Sequence, residues 1–376
     1  MTEMLLFTVR GATHRERGAD YGRQCRELIH GVLERYIAFF NGGHAAVSWD
    51  DAREISKQFL PFLQRYSPEL LEELEGIAQG SGASFDDLLT LNSRSETMTL
   101  VKRPASDEEE LDGCSSVAVL PDAMGDGHTL LAQNWDTYSW QEYGTIILQV
   151  LRDDGPDLML VTEAGQLARY GMNQAGVALG VNSLHKTFNT KVFGIPSVFV
   201  RRKFLEQDRY VDAVNKIFGA DSMLPMYYAA AYAGGDAMGF EKLARGHLVL
   251  YPENGLIAHS NHLKHPKYAY QVDALGGTLY RDRRILRHLT PKVGQITRED
   301  VIIAFQDHFG YPFCVCRHGD ERKKELDKIS TLGCILMDVT DKRMWVCKGT
   351  PCCSPFREYA WRRPDKLAQW QDIVLW

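Results

Sequence analysis

The chain changes texture at one step, Gly113–Cys114, and that step limits what it can fold into. Upstream, apolar residues recur at helical spacing. From Tyr21 to Phe40 they are Cys25, Leu28, Ile29, Val32, Leu33, Tyr36, Ile37 and Phe40, one buried helix face stopped by Gly42-Gly43. A second helix is predicted from Trp49 to Tyr66. A third runs from Ser67-Pro68 to Gly80-Ser81-Gly82, and a fourth starts at Ser84 with Asp87 three residues on. Residues 5–12 read as a short strand. Downstream of Cys114, short apolar or alternating runs fall at 114–120, 128–134, 144–151, 157–163, 166–172 and 176–182. Turn residues such as Asp153-Asp154-Gly155-Pro156 separate them, which is a β-meander pattern. Helices are predicted at 197–218 and 221–244, and strands at 247–251 and 255–260. A helix capped at Thr297 and strands at 331–339 and 343–348 complete the chain. Helices on antiparallel sheets make an α+β layered fold.

Charge divides at the same step. Residues 1–113 hold 12 Lys+Arg against 20 Asp+Glu, a net of −8, and residues 114–376 hold 31 against 29, a net of +2. The two sides are complementary, as fits two pieces that pack together. The chain as a whole, at −6, gives no sign of a nucleic-acid binder. No apolar run approaches the roughly 20 residues of a membrane span. The opening Met-Thr-Glu-Met-Leu-Leu-Phe is too short and acidic for a signal peptide. A cytoplasmic location away from membranes is expected, with the eight cysteines reduced.

Cys114 follows an acidic run, Ser106 to Asp112, and begins a strand-like segment, Cys114-Ser115-Ser116-Val117-Ala118-Val119. The bland reading is a small apolar core residue. The functional reading is a nucleophile that becomes an N-terminus when the Gly113–Cys114 bond is cut. A thiol with an ordinary pKa of about 8.5 needs a base, and no papain-like Cys/His signature surrounds Cys114; the nearest downstream histidine is His128. Cleavage would create an α-amine with a pKa of about 7.7–8.0, so nucleophile and base would share one residue. Asp136 ends the next strand, which returns antiparallel towards Cys114. Asn261, in Ser260-Asn261-His262, closes another strand where an amide suits an oxyanion donor. Cys314-Val315-Cys316-Arg317-His318 and Cys352-Cys353 invite a zinc reading. The C-x-C spacing has no matching C-x-x-C, however, and no metal is expected.

Taken in order, these segments resemble the acyl-coenzyme A:isopenicillin N (6-aminopenicillanic acid) acyltransferase-like family of Ntn (N-terminal-nucleophile) cysteine hydrolases. The likeness is carried by Gly18-Ala19-Asp20-Tyr21-Gly22, Gly76-Ile77-Ala78-Gln79-Gly80-Ser81-Gly82 and Leu91-Asn92-Ser93-Arg94-Ser95-Glu96. It continues through Asp112-Gly113-Cys114-Ser115-Ser116, Gln133-Asn134-Trp135-Asp136, Gly171-Met172-Asn173 with Gly180-Val181-Asn182, and Ser260-Asn261-His262. The chain departs from the penicillin-forming pattern at Lys328-Ile329-Ser330-Thr331, where a Ser-Arg pair would stand, and in a longer loop at Pro121–Gly127.

The resemblance implies an Ntn-hydrolase αββα sandwich with two stacked antiparallel sheets. It also implies self-cleavage at Gly113–Cys114 into a helical prosegment, residues 1–113, and a catalytic chain, residues 114–376. Cys114 would be the nucleophile and form a thioester, Asp136 would support processing, and Asn261 would stabilise the oxyanion. Asn134, Trp135, Arg169, Asn182 and Thr331 are candidate substrate contacts. The expected substrate is a small N-acyl amide, hydrolysed or used for acyl transfer. No cofactor is expected, and acyl-CoA would enter only as a substrate. A homo-oligomer is left open. Rival readings are an acyl-CoA-dependent N-acyltransferase and a non-catalytic binding member of the fold.

Overall fold

The structure, a computed structural model, describes residues 3–45, 47–100, 113–184, 193–243, 246–267 and 277–370. The acidic run before the Gly-Cys step lies outside the described residues. In chain order the strands are β1 (Leu5–Val9), β2 (Cys114–Val119), β3 (Leu130–Tyr138), β4 (Thr145–Val150), β5 (Leu158–Glu163), β6 (Tyr170–Asn173) and β7 (Val177–Ser183). They continue as β8 (Met226–Tyr232), β9 (Asp236–Lys242), β10 (His247–Leu250), β11 (Leu256–His259), β12 (Ile329–Asp338), β13 (Arg343–Lys348) and β14 (Phe356–Tyr359). The helices are α1 (His14–Gln24), α2 (Arg26–Phe39), α3 (Trp49–Lys57), α4 (Leu60–Tyr66) and α5 (Pro68–Ser81). They continue as α6 (Phe85–Leu100), α7 (Ser197–Leu205), α8 (Tyr210–Phe218), α9 (Thr278–Leu289) and α10 (Arg298–Phe305).

The strands form two sheets. One has the order β1-β4-β5-β6-β7-β8-β9-β10, antiparallel except where β1 lies parallel to β4. The other is antiparallel throughout, in the order β11-β2-β3-β12-β13-β14. Side chains alternate across the second sheet. Ala118, Leu131, Trp135, Ile335 and Met337 enter a core shared with the first sheet and with residues of α1–α8. Val117, Val119, Leu130, Ala132 and Leu336 enter a second core with Ile285 and Leu289 of α9 and Val301, Ala304 and Phe305 of α10. The result is helices, sheet, sheet, helices, the expected αββα sandwich. Among the described residues no helix is long and apolar enough to cross a membrane.

Two of the glycine motifs have a packing cause. Gly18 and Gly22 on α1 meet Gly76 and Gly80 on α5. A Cβ on Gly18 would collide with the Glu73 carbonyl, and one on Gly22 with the Ile77 carbonyl. A Cβ on Gly76 would strike the Arg15 carbonyl, and one on Gly80 the Ala19 carbonyl. The two backbones therefore touch. Tyr21 Oη, buried between them and the sheet, accepts from Gly165 N at 2.9 Å. The Asn92-x-Arg94-x-Glu96 motif docks α6. Asn92 binds Gly165 O and Leu167 N, both at 2.9 Å, Arg94 pairs with Glu163 at 2.8 Å, and Glu96 accepts Ser197 N at 2.8 Å. That last carboxylate sits at the start of α7, where the helix dipole favours it.

The helix predicted over 221–244 is instead the hairpin β8–β9, turned at Gly234-Gly235 with Gly235 at φ +93°. Its Met-Tyr-Tyr-Ala-Ala-Ala-Tyr run is nearly all buried, and an apolar run without alternation fits either element. The α9 helix was not anticipated. The segment predicted as one helix from Tyr21 breaks at Cys25, and α1 starts earlier, at a capping box between Thr13 and Glu16.

Arg202 on α7 is fully buried between Glu73 of α5, at 2.9 Å, and Glu206, at 3.0 Å. Burial pushes the Glu206 carboxyl up, but Arg202 and His14 outweigh it and hold it well below the usual range. Its contribution to stability is therefore present above the ordinary Glu pKa of about 4.3 and is lost as pH falls below it. Three stability changes are expected in denaturant titrations. Gly80→Ala should cost about 1–3 kcal/mol from overpacking. Glu73→Ala should cost about 1–3 kcal/mol, because one donor of the buried Arg202 guanidinium loses its acceptor while Glu206 still pairs with it. Glu358→Ala, at the exposed pair with Arg343, should cost under about 1 kcal/mol.

Candidate active site

Strand register assembles the site. Cys114, the first residue of β2, lies opposite Trp135 of β3, and Ser116 lies opposite His259 of β11. Asn261, two residues past β11, and Asp136, late in β3, are thereby carried to the same end of the sheet. The backbone N of Cys114 donates to Asn261 Oδ1 at 3.0 Å. Arg281 of α9 donates to the same Oδ1 at 2.6 Å, to Cys114 O at 2.9 Å and to Ser115 Oγ at 3.0 Å. Asn261 Nδ2 donates to Ser183 O at 2.8 Å, and Asn261 N to Thr278 Oγ1 at 2.7 Å. Because donors face Oδ1 and a carbonyl faces Nδ2, the amide has one orientation. Cys114 is buried, and its Sγ turns into the space between the sheets. There it lies 3.7 Å from Tyr170 Oη and 4.0 Å from Asp136 O.

Asp136 is fully buried. Its Oδ1 accepts from Thr331 Oγ1 at 2.7 Å, and its Oδ2 lies 3.7 Å from Arg281 Nη1. Thr331 Oγ1 accepts from Arg317 N, and Thr331 N donates to Arg317 O, both at 3.0 Å. The Arg317 head group crowds Gly113. A methyl placed on Gly113 would collide with Arg317 Nη1 and lie 3.5 Å from Asp136 Oδ2 and 3.6 Å from Arg281 Nη1. Two guanidinium groups and a carboxylate therefore surround the residue before Cys114.

The other candidates divide by strand face. Trp135 points between the sheets, edge-on to Tyr170 at 5.8 Å and beneath the Arg169 guanidinium at 4.3 Å. Asn134, its neighbour in sequence, points the opposite way. It donates to Phe305 O at 3.2 Å and Val315 O at 2.8 Å and so anchors α10 and the loop after it. Asn182 donates to His259 O at 2.9 Å and Ser260 O at 2.8 Å, which fixes the approach to Asn261. Cys114, Asp136, Asn261, Thr331, Trp135 and Arg169 thus come together, while Asn134 and Asn182 hold backbone behind them. His128 is elsewhere: it pairs with Asp338 at 2.8 Å, and that carboxylate raises its pKa.

Sequence reasoning missed Arg281, Arg317 and Tyr170. Arg317 lay inside the Cys-x-Cys-Arg-His segment, which drew attention only for its metal ligands. Arg281 lay in a stretch given no element.

Residues 123–352 match the family described as acyl-coenzyme A:6-aminopenicillanic acid acyl-transferase. A curated relative, the acyl-coenzyme A:6-aminopenicillanic-acid-acyltransferase 40 kDa form of Emericella nidulans, is 27% identical over 358 residues, 93% of each chain. Two solved structures are similar in part. A mutant conjugated bile acid hydrolase from Clostridium perfringens has 10% identity and a TM-score of 0.41, over 66% of this chain and 97% of that one. Penicillin V acylase from Agrobacterium tumefaciens has 12% identity and a TM-score of 0.40, over 62% and 83%. With more than half of its length inside the family match, the chain belongs to the acyl-coenzyme A:6-aminopenicillanic acid acyl-transferase family.

Proposed function

We propose that the chain cuts itself between Gly113 and Cys114 and then uses Cys114 as an N-terminal nucleophile on the acyl group of a small N-acyl amide. The observation that carries this reading is the setting of Cys114. Its nitrogen is held by Asn261, its thiol faces the space between the sheets, and Arg281, Arg317 and Asp136 surround the preceding residue.

In self-cleavage, Cys114 Sγ attacks the Gly113 carbonyl carbon. The C–N bond breaks, the Cys114 nitrogen takes a proton to become an amine, and the Gly113 acyl group moves to sulfur. Water then hydrolyses this thioester, which releases the Gly113 carboxylate and the free thiol. Arg317 and Arg281, which flank Gly113, would supply positive charge for the oxyanion that develops on its carbonyl. Asp136 lies beside the Arg281 guanidinium, and Thr331 fixes the backbone of Arg317.

The peptide nitrogen of Cys114 in the uncleaved chain stands where the mature α-amine will be. With Asn261 Oδ1 holding it at 3.0 Å, that amine takes the Sγ proton. The thiolate then attacks the substrate carbonyl, the ammonium protonates the leaving nitrogen, and water removes the acyl group from Cys114. Asn261 Nδ2 gives one of its two N–H groups to Ser183 O, and the other is the donor proposed to stabilise the oxyanion. Trp135, Arg169 and Tyr170 form the wall facing Sγ and are the proposed substrate contacts. Transfer from acyl-CoA to an amine is the second reading, favoured by the relative's name. The two fragments should stay together, because β1 and residues of α1–α6 are built into the sheet and core of the rest.

Denaturing mass spectrometry tests the proposal. Wild type should give two fragments, 1–113 and 114–376, that co-elute under native conditions. Cys114→Ala should remain one chain. An intact, inert wild type would rule the proposal out and favour a binding role. Gly113→Val, which displaces Arg317, and Asp136→Asn should each slow cleavage by about 10²-fold, the cost of misplacing groups by about 1 Å.

A further inference from the structure

The Cys316-x-His318 spacing lacks a second ligand pair nearby in sequence, but the fold brings one from elsewhere. His308 comes from the loop after α10, and Cys352 from the loop after β13. We propose that His308, Cys316, His318 and Cys352 bind one structural Zn²⁺ ion, and that the ion fixes Arg317 against Gly113. The metal site stands on these four side chains alone; only the consequence for Gly113 rests on the self-cleavage reading.

The geometry is that of a ligand shell. All four donor atoms lie within 4.8 Å of one another. His308 Nε2 is 3.1 Å from His318 Nε2, which is 3.7 Å from Cys316 Sγ and 3.5 Å from Cys352 Sγ. Tetrahedral zinc, with bonds of about 2.3 Å to sulfur and 2.0–2.1 Å to nitrogen, needs edges of about 3.3 Å between nitrogens and about 3.6 Å between nitrogen and sulfur. Three edges are thus already near their bound lengths, and the other three are no longer than 4.8 Å. Two thiolates would neutralise the ion, and two imidazoles complete a donor set that suits zinc and not magnesium or calcium. Four protein ligands leave no open position, so the site is structural. Cys316 is buried, His318 and Cys352 are half-buried and His308 is exposed, which leaves a path in from solvent.

Arg317 lies between two of the ligands. Its backbone is paired to Thr331 on one side, and its head group reaches Gly113. An ion joining Cys316 and His318 to His308 and Cys352 would clamp this loop to the 350s loop, which Gln306 already holds by donating to Pro351 O at 2.9 Å.

The test uses the full chain, purified under reducing conditions without chelator. Elemental analysis should find about one zinc per chain, and Co²⁺ added to chelator-stripped protein should give thiolate charge-transfer and strong tetrahedral d–d bands. The His308→Ala/Cys352→Ser double variant keeps buried Cys316, and its fold is checked by circular dichroism; it should lose both signals. Folded wild type with neither zinc nor the cobalt bands would overturn the site, as would a double variant that keeps its metal or a disulfide found at Cys316. Stripping zinc should slow precursor cleavage by about tenfold or more if Arg317 is misplaced. An unchanged cleavage rate would overturn the link to Gly113. Zinc binding by a wild type that never cleaves would sink the self-cleavage reading and leave the metal site standing.

Discussion

The site depends on a buried cation, Arg281. A guanidinium almost sealed from solvent is costly unless its donors are met. Here three acceptors meet it, Cys114 O, Ser115 Oγ and Asn261 Oδ1, with the Asp136 carboxylate alongside. Those groups come from β2, from the end of β11 and from β3, while Arg281 itself belongs to α9. Charge-assisted hydrogen bonds of this kind contribute about 1.5–3 kcal/mol each, so the cluster locks the end of the sheet around Gly113–Cys114.

Two different constraints produced the motifs that mark the chain. The glycines of α1 and α5 and the Asn92-Arg94-Glu96 set are packing devices. The glycines bring α1 and α5 into backbone contact, and the Asn92-Arg94-Glu96 set holds α6 to the turn at 163–167 and to the start of α7. The Cys114, Asp136 and Asn261 set is the one to which we assign the proposed chemistry. The first group explains why residues 1–100 are inseparable in structure from the rest, although charge and periodicity both break at residue 113.

Much of this was legible in sequence. The alternation after Cys114 gave the strands of the meander, and the turn residues bounded them. Register then followed, because a strand returning antiparallel from Cys114 must bring Asp136 back beside it. What was not legible has physical reasons. The Ala-rich run of β8 is buried on both faces and so carries no alternation. Asn134 and Trp135 are neighbours in the string but face opposite layers, a period-2 consequence that a motif written as a word conceals. Arg281, Arg317 and the His308/Cys352 pairing arise from contacts between distant segments, which no local pattern encodes.

The most direct measurement of the central claim is the mass of the 114–376 fragment after mixing with an N-acyl amide and quenching in acid within the first turnovers. The account predicts an added acyl mass that maps to Cys114 and is removed by hydroxylamine. Product formed while that fragment stays unmodified, or an acyl group mapped to another residue, would contradict it.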